Sequence, residues 1–252
     1  MSGGELQVID LGRRRYGEIL ELQRDLCRRR LAREIHSDIL LLVEHDPVVT
    51  LGRGTRPSSL ILPPGELEAR GLEVFEVERG GDVTYHGPGQ LVGYPILDLN
   101  GHRPDLHWYL REVEAALIES LSELDVRADR RAGLTGVWTR DRKIASIGIH
   151  VKQWVTFHGF ALNVVNNLDN FELIIPCGID NIEMTSVQRE RGPLDIPDDL
   201  WWSTRSAVIA AFGRHFDRDP IETSLESAGI DPPPSLAPPR KQRTSQPRRV
   251  HQ

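Results

Sequence analysis

Residues 79–90 read Arg-Gly-Gly-Asp-Val-Thr-Tyr-His-Gly-Pro-Gly-Gln, and an apolar segment, Leu91 to Leu99, follows directly. Glycine permits positive φ and lets the backbone approach a ligand closely, whereas Pro88 fixes the chain between two glycines. One interpretation is a connector between two strands whose polar side chains face water. The concentration of Arg, Thr, Tyr, His and Gln in so short a stretch favours the other, a ligand-binding loop around which the fold is built.

Short apolar segments on the N-terminal side of this loop predict strands. Asp38–Glu44 and Val48–Leu51 are rich in Leu and Val and are separated by Asp46-Pro47, and Val74–Val77 leads into the loop. The tripeptide Gly52-Arg53-Gly54 lacks the spacing of a phosphate-binding loop, so it is interpreted as a turn.

A hairpin is predicted on the C-terminal side of the loop. Lys143–Val151 and Val155–Val164 are joined by a very short connection, which favours antiparallel pairing. Because successive strand residues alternate faces, Lys143 begins the otherwise apolar face of Ala145 and Ile147. A lysine there either lies at the rim with its ammonium in water or belongs to a site.

Three amphipathic helices are predicted from the spacing of apolar residues. They run from Tyr16 to about Glu34, from a cap at Asp105 to about Leu124, and from Leu200 to Phe216. Leu106 is assigned to the buried face of the second helix. Arg127–Arg131 is predicted to be a polar loop before a strand within 133–139.

The two cysteines differ in their surroundings. Cys27 lies on the apolar face of the first helix, so we expect a core residue. Cys177 lies between Pro176 and Gly178, where an acyl group can reach a thiol, although a structural thiol is the alternative. A nearby ammonium would favour the nucleophilic thiolate. Lys143, His86 and His158 are all candidates for its activator, and spacing alone does not decide among them.

Composition excludes several protein classes. The 252-residue chain carries a formal charge of −6, which argues against a basic nucleic-acid-binding protein. Two cysteines supply neither a disulfide framework nor a metal cluster. The first residues lack a signal sequence, and the longest apolar run, Ile39–Val43, is too short to cross a bilayer. We therefore expect a soluble, cytoplasmic protein without nucleic-acid or membrane partners.

Four motifs occur together: the 79–90 stretch, Lys143-Ile-Ala-Ser-Ile-Gly-Ile, His158-Gly-Phe-Ala-Leu-Asn and Pro176-Cys-Gly-Ile. In this order they resemble the octanoyl-[acyl carrier protein]:protein N-octanoyltransferases of lipoate biosynthesis. The resemblance covers roughly residues 6–216 and shows no departure within the motifs. It implies an α+β fold with a mixed β-sheet core and flanking helices, similar to the catalytic domains of biotin protein ligase and lipoate-protein ligase.

The resemblance also implies roles and boundaries. Cys177 matches the acyl-thioester nucleophile, and Lys143 matches the lysine that lowers the pKa of that cysteine. A single acyltransferase domain is expected over residues 1–230, followed by a Pro-rich, basic and disordered tail over 231–252. The implied substrate-contacting residues are Arg79, Gly80, Gly81, Asp82, Val83, Thr84, Tyr85, His86, Ala145, Ser146, Ile147, His158, Gly159 and Phe160.

The implied reaction needs no cofactor, metal or ATP, because one thioester is exchanged for another. The expected donor is octanoyl-acyl carrier protein. The expected acceptors are the lipoyl domains of 2-oxoacid dehydrogenase E2 subunits and the glycine cleavage H protein. Ile147 and Leu91 are candidates to line an acyl tunnel. Two arginine clusters, Arg13–Arg15 and Arg28–Arg30, are either a solvated face or a surface that docks an acidic carrier, and the resemblance favours the docking surface. The alternatives are an ATP-dependent lipoate or biotin ligase and a non-catalytic acyl-carrier-binding module.

Overall fold

A computed structural model describes residues 4–175, 182–192 and 199–236. The helices are α1 (Tyr16–Leu31), α2 (Pro64–Ala69), α3 (Leu106–Ser122), α4 (Val187–Arg191) and α5 (Leu200–His215). The strands are β1 (Gly4–Arg14), β2 (Asp38–His45), β3 (Val48–Leu51), β4 (Glu73–Glu76), β5 (Val83–His86), β6 (Gln90–Ile96), β7 (Asp129–Arg131), β8 (Leu134–Thr139), β9 (Arg142–Lys152), β10 (Val155–Asn163) and β11 (Arg218–Thr223).

The strands form a large and a small sheet. The large sheet has eight strands in the order β11-β1-β2-β6-β10-β9-β8-β7, and the small sheet has the order β4-β3-β5. In the large sheet β1 runs parallel to β2 and β11, whereas the pairs from β2 through β6, β10 and β9 to β8 are antiparallel. The expected α+β fold with a mixed sheet is thus confirmed.

Helices cover both faces of the large sheet. On one face, α3 and α5 pack through residues such as Val113, Leu117 and Phe212. On the other face, α1 packs through Ile19 and Leu22, and the small sheet lies beside it. Alternate strand residues point to opposite faces, so each strand contributes to both cores.

The predicted elements agree with the structure except at four places. The 79–90 stretch is not only a loop, because it contains β5, which pairs with β3. Leu106 is the first residue of α3 and is 42% exposed, so its assignment to the buried face is wrong. Arg127–Arg131 is not only a loop, since it contains β7, which pairs with β8. Strands β1 and β11 had no predicted counterpart; β11 is an exposed edge strand with few apolar residues.

Two predicted features fall partly or wholly outside the described residues. Cys177 is one of them. Within the predicted tail, Leu236 packs against the α1 side of the core, whereas residues 237–252 lie outside the description. Across the described ranges, none of the helices has the length and apolar character needed to cross a bilayer.

Candidate functional site

A cavity of about 230 Å³ lies between the large sheet and the small sheet. Its wall on the large sheet crosses four neighbouring strands in the order β8, β9, β10 and β6. The small sheet and the loop before β5 cover it from the other side. Its lining includes Tyr16, Arg79, Gly81, Asp82, Val83, Thr84, His86, Val92, Tyr94, Gly133, Leu134, Thr135, Trp138, Lys143, Ser146, Ile147, Gly148, His158, Gly159, Phe160 and Ala161.

The cavity floor is built from small side chains on the β9–β10 hairpin. Ser146 pairs with Ala161 across the strands, and Gly148 pairs with Gly159. A Cβ on Gly159 would lie 2.1 Å from the Gly93 carbonyl oxygen, so no other residue fits there. The floor can therefore hold an extended apolar group close to the backbone.

The loop over the cavity is fixed by Arg79, which is 7% exposed. Its guanidinium donates to the Thr50 carbonyl oxygen at 2.6 Å and to Thr50 Oγ1 at 2.9 Å. The Gly80 N–H donates to the Ile149 carbonyl oxygen at 2.9 Å, which ties the loop to β9. A Cβ on Gly52 would lie 2.7 Å from an Arg79 terminal nitrogen, so Gly52 leaves space for this side chain.

Lys143 is buried in the cavity wall with 2% exposure, so the alternative that it lies at a rim is wrong. Its Nζ lies 5.4 Å from the centroid of the Trp138 ring, a favourable position for a cation on an aromatic face. A Cβ on Gly136 would lie 2.7 Å from Lys143 Cε, and Gly136 has φ +125°. Only glycine suits that backbone and that contact.

A buried carboxylate supports this arrangement from α3. Glu114 is 1% exposed and accepts the Gly136 N–H at 3.1 Å. It also accepts Arg111 at 2.5 Å and Arg130 at 3.1 Å. β8, the strand that faces Lys143, is therefore held in place by the Glu114 carboxylate, whose charge is paired with two arginines.

A chain of buried hydrogen bonds connects two of the motifs, the 79–90 stretch and the His158 motif, to Lys143. His86 Nδ1–H donates to Gln90 Oε1 at 2.8 Å, and Gln90 Nε2 donates to Asn163 Oδ1 at 2.9 Å. Asn163 Nδ2 donates to the Thr185 carbonyl oxygen at 2.9 Å. The Thr185 N–H donates to the Lys143 carbonyl oxygen at 2.9 Å.

The β6 end of the cavity is closed by four buried rings, Tyr16, His45, His86 and Tyr94, which we call the aromatic wall. Tyr94 O–H donates to His45 Nε2 at 2.7 Å, and Tyr16 stacks on His86 with centroids 5.9 Å apart. Burial lowers the pKa of His45 to about 4 and that of His86 to about 3. Both imidazoles are therefore neutral at physiological pH.

His158 occupies an unusual position in the cavity lining. It is 1% exposed and has φ 56°, a left-handed conformation that costs energy for a non-glycine residue. Its Nε2 lies 3.8 Å from a Glu78 oxygen, beyond hydrogen-bond distance, and neither ring nitrogen has a hydrogen-bond partner among the described residues. Burial lowers the pKa of His158. Buried polar atoms normally find a partner, so this ring can accept or donate a bond to a bound molecule.

Most of the predicted substrate-contacting residues lie together in the cavity lining, whereas Gly80, Tyr85 and Ala145 are not among the lining residues. Tyr85 packs in the core of the small sheet, with its ring centroid 5.5 Å from that of Phe171. Leu91 points to the α3 and α5 side of the large sheet, so the expectation that it lines the tunnel is wrong.

Sequence reasoning did not identify Tyr94 and Trp138 as site residues, and it assigned Tyr16 only to a helix face. All three are apolar enough to be mistaken for ordinary core residues. The position of Tyr94 between Gly93 and Pro95 was a signal of local constraint, but the cavity that it faces depends on how β6 pairs with β10.

The arginine clusters are largely engaged within the chain and are absent from the lining. Arg13 pairs with Asp46 at 2.8 Å, and Arg30 pairs with the buried Asp38 at 3.1 Å. In the described part of the chain, no group of three or more His, Cys, Asp or Glu side chains is arranged to hold a metal ion.

The sequence is similar to those of known proteins over most of its length. The lipoyl protein ligase A/B catalytic domain family matches residues 15–208. An octanoyltransferase of Gloeobacter violaceus is 51% identical over 176 residues, covering 70% of this chain and 77% of that protein. An octanoyltransferase of Acidobacterium capsulatum is 44% identical over 245 residues, covering 92% and 97% of the two chains.

Solved structures show the same fold at low identity. The bipartite lipoate protein ligase of Thermoplasma acidophilum has a TM-score of 0.62 at 17% identity, covering 91% of this chain and 90% of that one. P. falciparum LipL1 in complex with lipoate has a TM-score of 0.68 at 13% identity, covering 90% and 67%. The expected likeness to lipoate-protein ligases is confirmed at the level of the fold.

Proposed function

Since this chain belongs to the octanoyltransferases, enzymes of protein lipoylation, we propose that it forms an octanoyl thioester on Cys177 and passes the octanoyl group to a lysine of a lipoyl domain. Membership of the family implies an acyl donor and lipoyl-domain acceptors. We take the donor to be octanoyl-acyl carrier protein. We take the acceptors to be E2 subunits of 2-oxoacid dehydrogenases and the glycine cleavage H protein, and the compartment to be the cytoplasm.

The observation that carries the proposal is that Lys143 is buried in the wall of the cavity. Lys143 is 2% exposed and lines the cavity, so its side chain is close to any group that enters there. Lys143 lies beside small-residue pairs that leave space for an acyl chain. Its contact with Gly136 fixes where its ammonium can lie.

The chain on either side of Cys177 is attached to this cavity. The Ile175 N–H donates to the Ser59 carbonyl oxygen at 2.9 Å, and Ser59 Oγ donates to Asp82 in the cavity lining at 2.8 Å. On the other side, the Lys143 N–H donates to the Glu183 carbonyl oxygen at 2.9 Å. The described segments before and after the Cys177 motif are thus both hydrogen-bonded to residues of the site, which supports the proposal that the thiol reaches Lys143.

In the first half-reaction, the Cys177 thiolate attacks the thioester carbonyl carbon of octanoyl-acyl carrier protein. The bond between that carbon and the carrier sulfur breaks, the Lys143 ammonium gives its proton to the departing sulfur, and the carrier leaves as a thiol while Lys143 is left neutral. An unperturbed cysteine has a pKa of about 8.5 and is mostly protonated at neutral pH. The Lys143 ammonium next to the sulfur favours the thiolate by charge attraction.

In the second half-reaction, the amine of the acceptor lysine attacks the Cys177 thioester and forms an amide, and the Cys177 thiolate is released. A free lysine with a pKa of about 10.4 is neutral in only roughly one molecule in a few thousand at pH 7. Neutral Lys143 takes the proton from the attacking amine. Backbone N–H groups near Gly148 or Gly178 are the candidates to stabilise the oxyanion.

Mass spectrometry of the intact protein after mixing with octanoyl-acyl carrier protein tests the proposal. We expect an octanoyl adduct, labile to hydroxylamine, on the wild type and on Cys27→Ser, but not on Cys177→Ser. Cys27 is the matched control, because it is 3% exposed and burial raises its thiol pKa. An adduct that persists in Cys177→Ser contradicts the proposal. Pyrophosphate release with ATP and octanoate or lipoate would instead indicate a ligase.

A further inference from the structure

The cavity extends across the strands of the large sheet, from β8 to β6. Trp138 on β8 and Lys143 on β9 line one end, and Tyr94 on β6 lines the other. Neighbouring strands lie about 4.8 Å apart, so β9 and β6, with β10 between them, are separated by roughly 10 Å. That separation is comparable to the length of an extended eight-carbon acyl chain.

The floor changes abruptly at β6. Gly148 pairs with Gly159, and the β6–β10 register pairs Phe160 with Gly93, which places Tyr94 beside Gly159. Across β9, β10 and β6, the residues that lie side by side are therefore Gly148, Gly159 and Tyr94. A chain that lies over the glycines meets the Tyr94 ring as its first large obstacle.

The Tyr94 ring is held in place. It is 3% exposed, and its hydroxyl donates to His45 Nε2 at 2.7 Å. The other nitrogen of His45 lies 3.3 Å from the Arg14 carbonyl oxygen, and His45 itself is fully buried. Because both partners are fixed, the ring is a rigid obstacle.

We propose that Tyr94 is the specificity-determining residue that limits the length of the acyl chain accepted by the cavity. The inference deepens the proposed function and rests on it for the identity of the substrate. The ring packs against that of His45 with centroids 5.8 Å apart, and it excludes carbons beyond the eighth. Shortening the side chain would open space behind it, towards His45.

The experiment compares wild type, Tyr94→Leu and Tyr94→Met in transfer from a mixture of hexanoyl- to dodecanoyl-acyl carrier proteins to a lipoyl domain. In a hydrophobic pocket each methylene that is gained or lost changes discrimination by about tenfold or more. We expect the dodecanoyl-to-octanoyl product ratio to rise by at least that factor in both variants. Tyr94→Phe is the matched control, because it keeps the ring, and it should retain the wild-type ratio.

Binding of free fatty acids of the same lengths, measured by calorimetry, gives a readout that does not depend on transfer. If wild type transfers nothing but the fatty-acid preference shifts to longer chains in Tyr94→Leu, the proposed function fails and the role of Tyr94 stands. Folded Leu and Met variants, verified by thermal unfolding, with wild-type length profiles in both assays would overturn the inference.

Discussion

Gly136 illustrates how one residue sets the position of a charge several residues away. Its φ of +125° is open to glycine but strained for other residues. A Cβ at this position would lie 2.6 Å from the Ala145 carbonyl oxygen and 2.7 Å from Lys143 Cε. A Cβ would therefore push the flexible lysine side chain away, and it would also force a small shift of β8 away from the Ala145 carbonyl oxygen. Nothing in the sequence around Gly136 indicates this contact, because Gly136 and Lys143 meet only through the pairing of β8 with β9.

The substitution Gly136→Ala is therefore expected to displace the Lys143 ammonium. A displacement of about 1 Å in a catalytic group can reduce the rate about a hundredfold, so we expect octanoyl transfer to fall by that order. The apparent pKa for alkylation of Cys177 should rise, because the nearby positive charge has moved. Single-turnover transfer and iodoacetamide reactivity against pH measure the two effects.

Gly71→Ala is the matched control for this prediction. Gly71 also has a positive φ, +85°, but a Cβ there would meet nothing within 4 Å. The Gly71→Ala variant therefore shows the cost of a positive φ alone, without the contact that a Cβ on Gly136 would make with Lys143. Equal losses of transfer in the two variants would refute the positional role of Gly136.

Among the secondary-structure elements, β10 connects the two halves of the site. Its last residue, Asn163, accepts from Gln90 at the start of β6 and donates to the Thr185 carbonyl oxygen. Thr185 in turn binds the backbone of Lys143. The register of one strand therefore determines whether the 79–90 loop and the lysine share a cavity.

Asn163→Leu is expected to remove the acceptor of the Asn166 amide and the donor to the Thr185 carbonyl oxygen, while Gln90 Nε2 keeps only its bond to the Tyr85 carbonyl oxygen. A buried polar group without a partner costs about 1–3 kcal/mol, so the free energy of unfolding should fall by at least that amount. Urea unfolding followed by circular dichroism provides the measurement. Asn167→Ala, which removes only the exposed hydrogen bond that Asn167 Oδ1 accepts from the Asp169 N–H, should lower the free energy of unfolding by clearly less. A stable Asn163→Leu would show that the network is not needed to join these elements.

Some of the secondary-structure elements could be predicted from the sequence, and others could not. The β9–β10 hairpin follows from alternation and a short connection, and Asp105 accepts the N–H groups of His107 and Trp108 as a helix cap should. β11 was not predictable in this way. Its residues are polar and exposed, and it forms because β1 offers a free edge. Such a strand depends on tertiary pairing, which local propensity does not contain.

On the scale of the whole molecule, the site lies where both sheets and α1 meet. The 79–90 stretch was recognisable as a site because its polar residues have no reason to cluster in a simple turn. The aromatic wall was not recognisable, since Tyr16, His45, His86 and Tyr94 come from α1, β2, β5 and β6 respectively. Their proximity is a property of the assembled fold, so no local pattern could reveal it.

The aromatic wall also makes the stability of the whole protein depend on pH. Burial disfavours the charged imidazolium, so the pKa of His45 falls from 6.5 to about 4 and that of His86 to about 3. The unfolded chain binds protons below about pH 6.5, whereas the folded chain resists them until about pH 4. Stability from these histidines is thus complete above that range and is lost as the pH falls through it.

We expect the urea midpoint to decrease between pH 7 and pH 4.5, and the decrease to be smaller in His45→Gln. Each pKa unit corresponds to about 1.4 kcal/mol, so His45 alone accounts for roughly 3 kcal/mol across its full range. Glutamine can still accept a hydrogen bond from the Tyr94 O–H, but it does not titrate. The substitution therefore removes the contribution of His45 to the pH dependence and keeps its contact with Tyr94. His107→Gln, on the exposed surface at the start of α3, should retain the wild-type slope. If His45→Gln loses stability with acid as steeply as the wild type, His45 does not contribute to the pH dependence and the prediction is wrong.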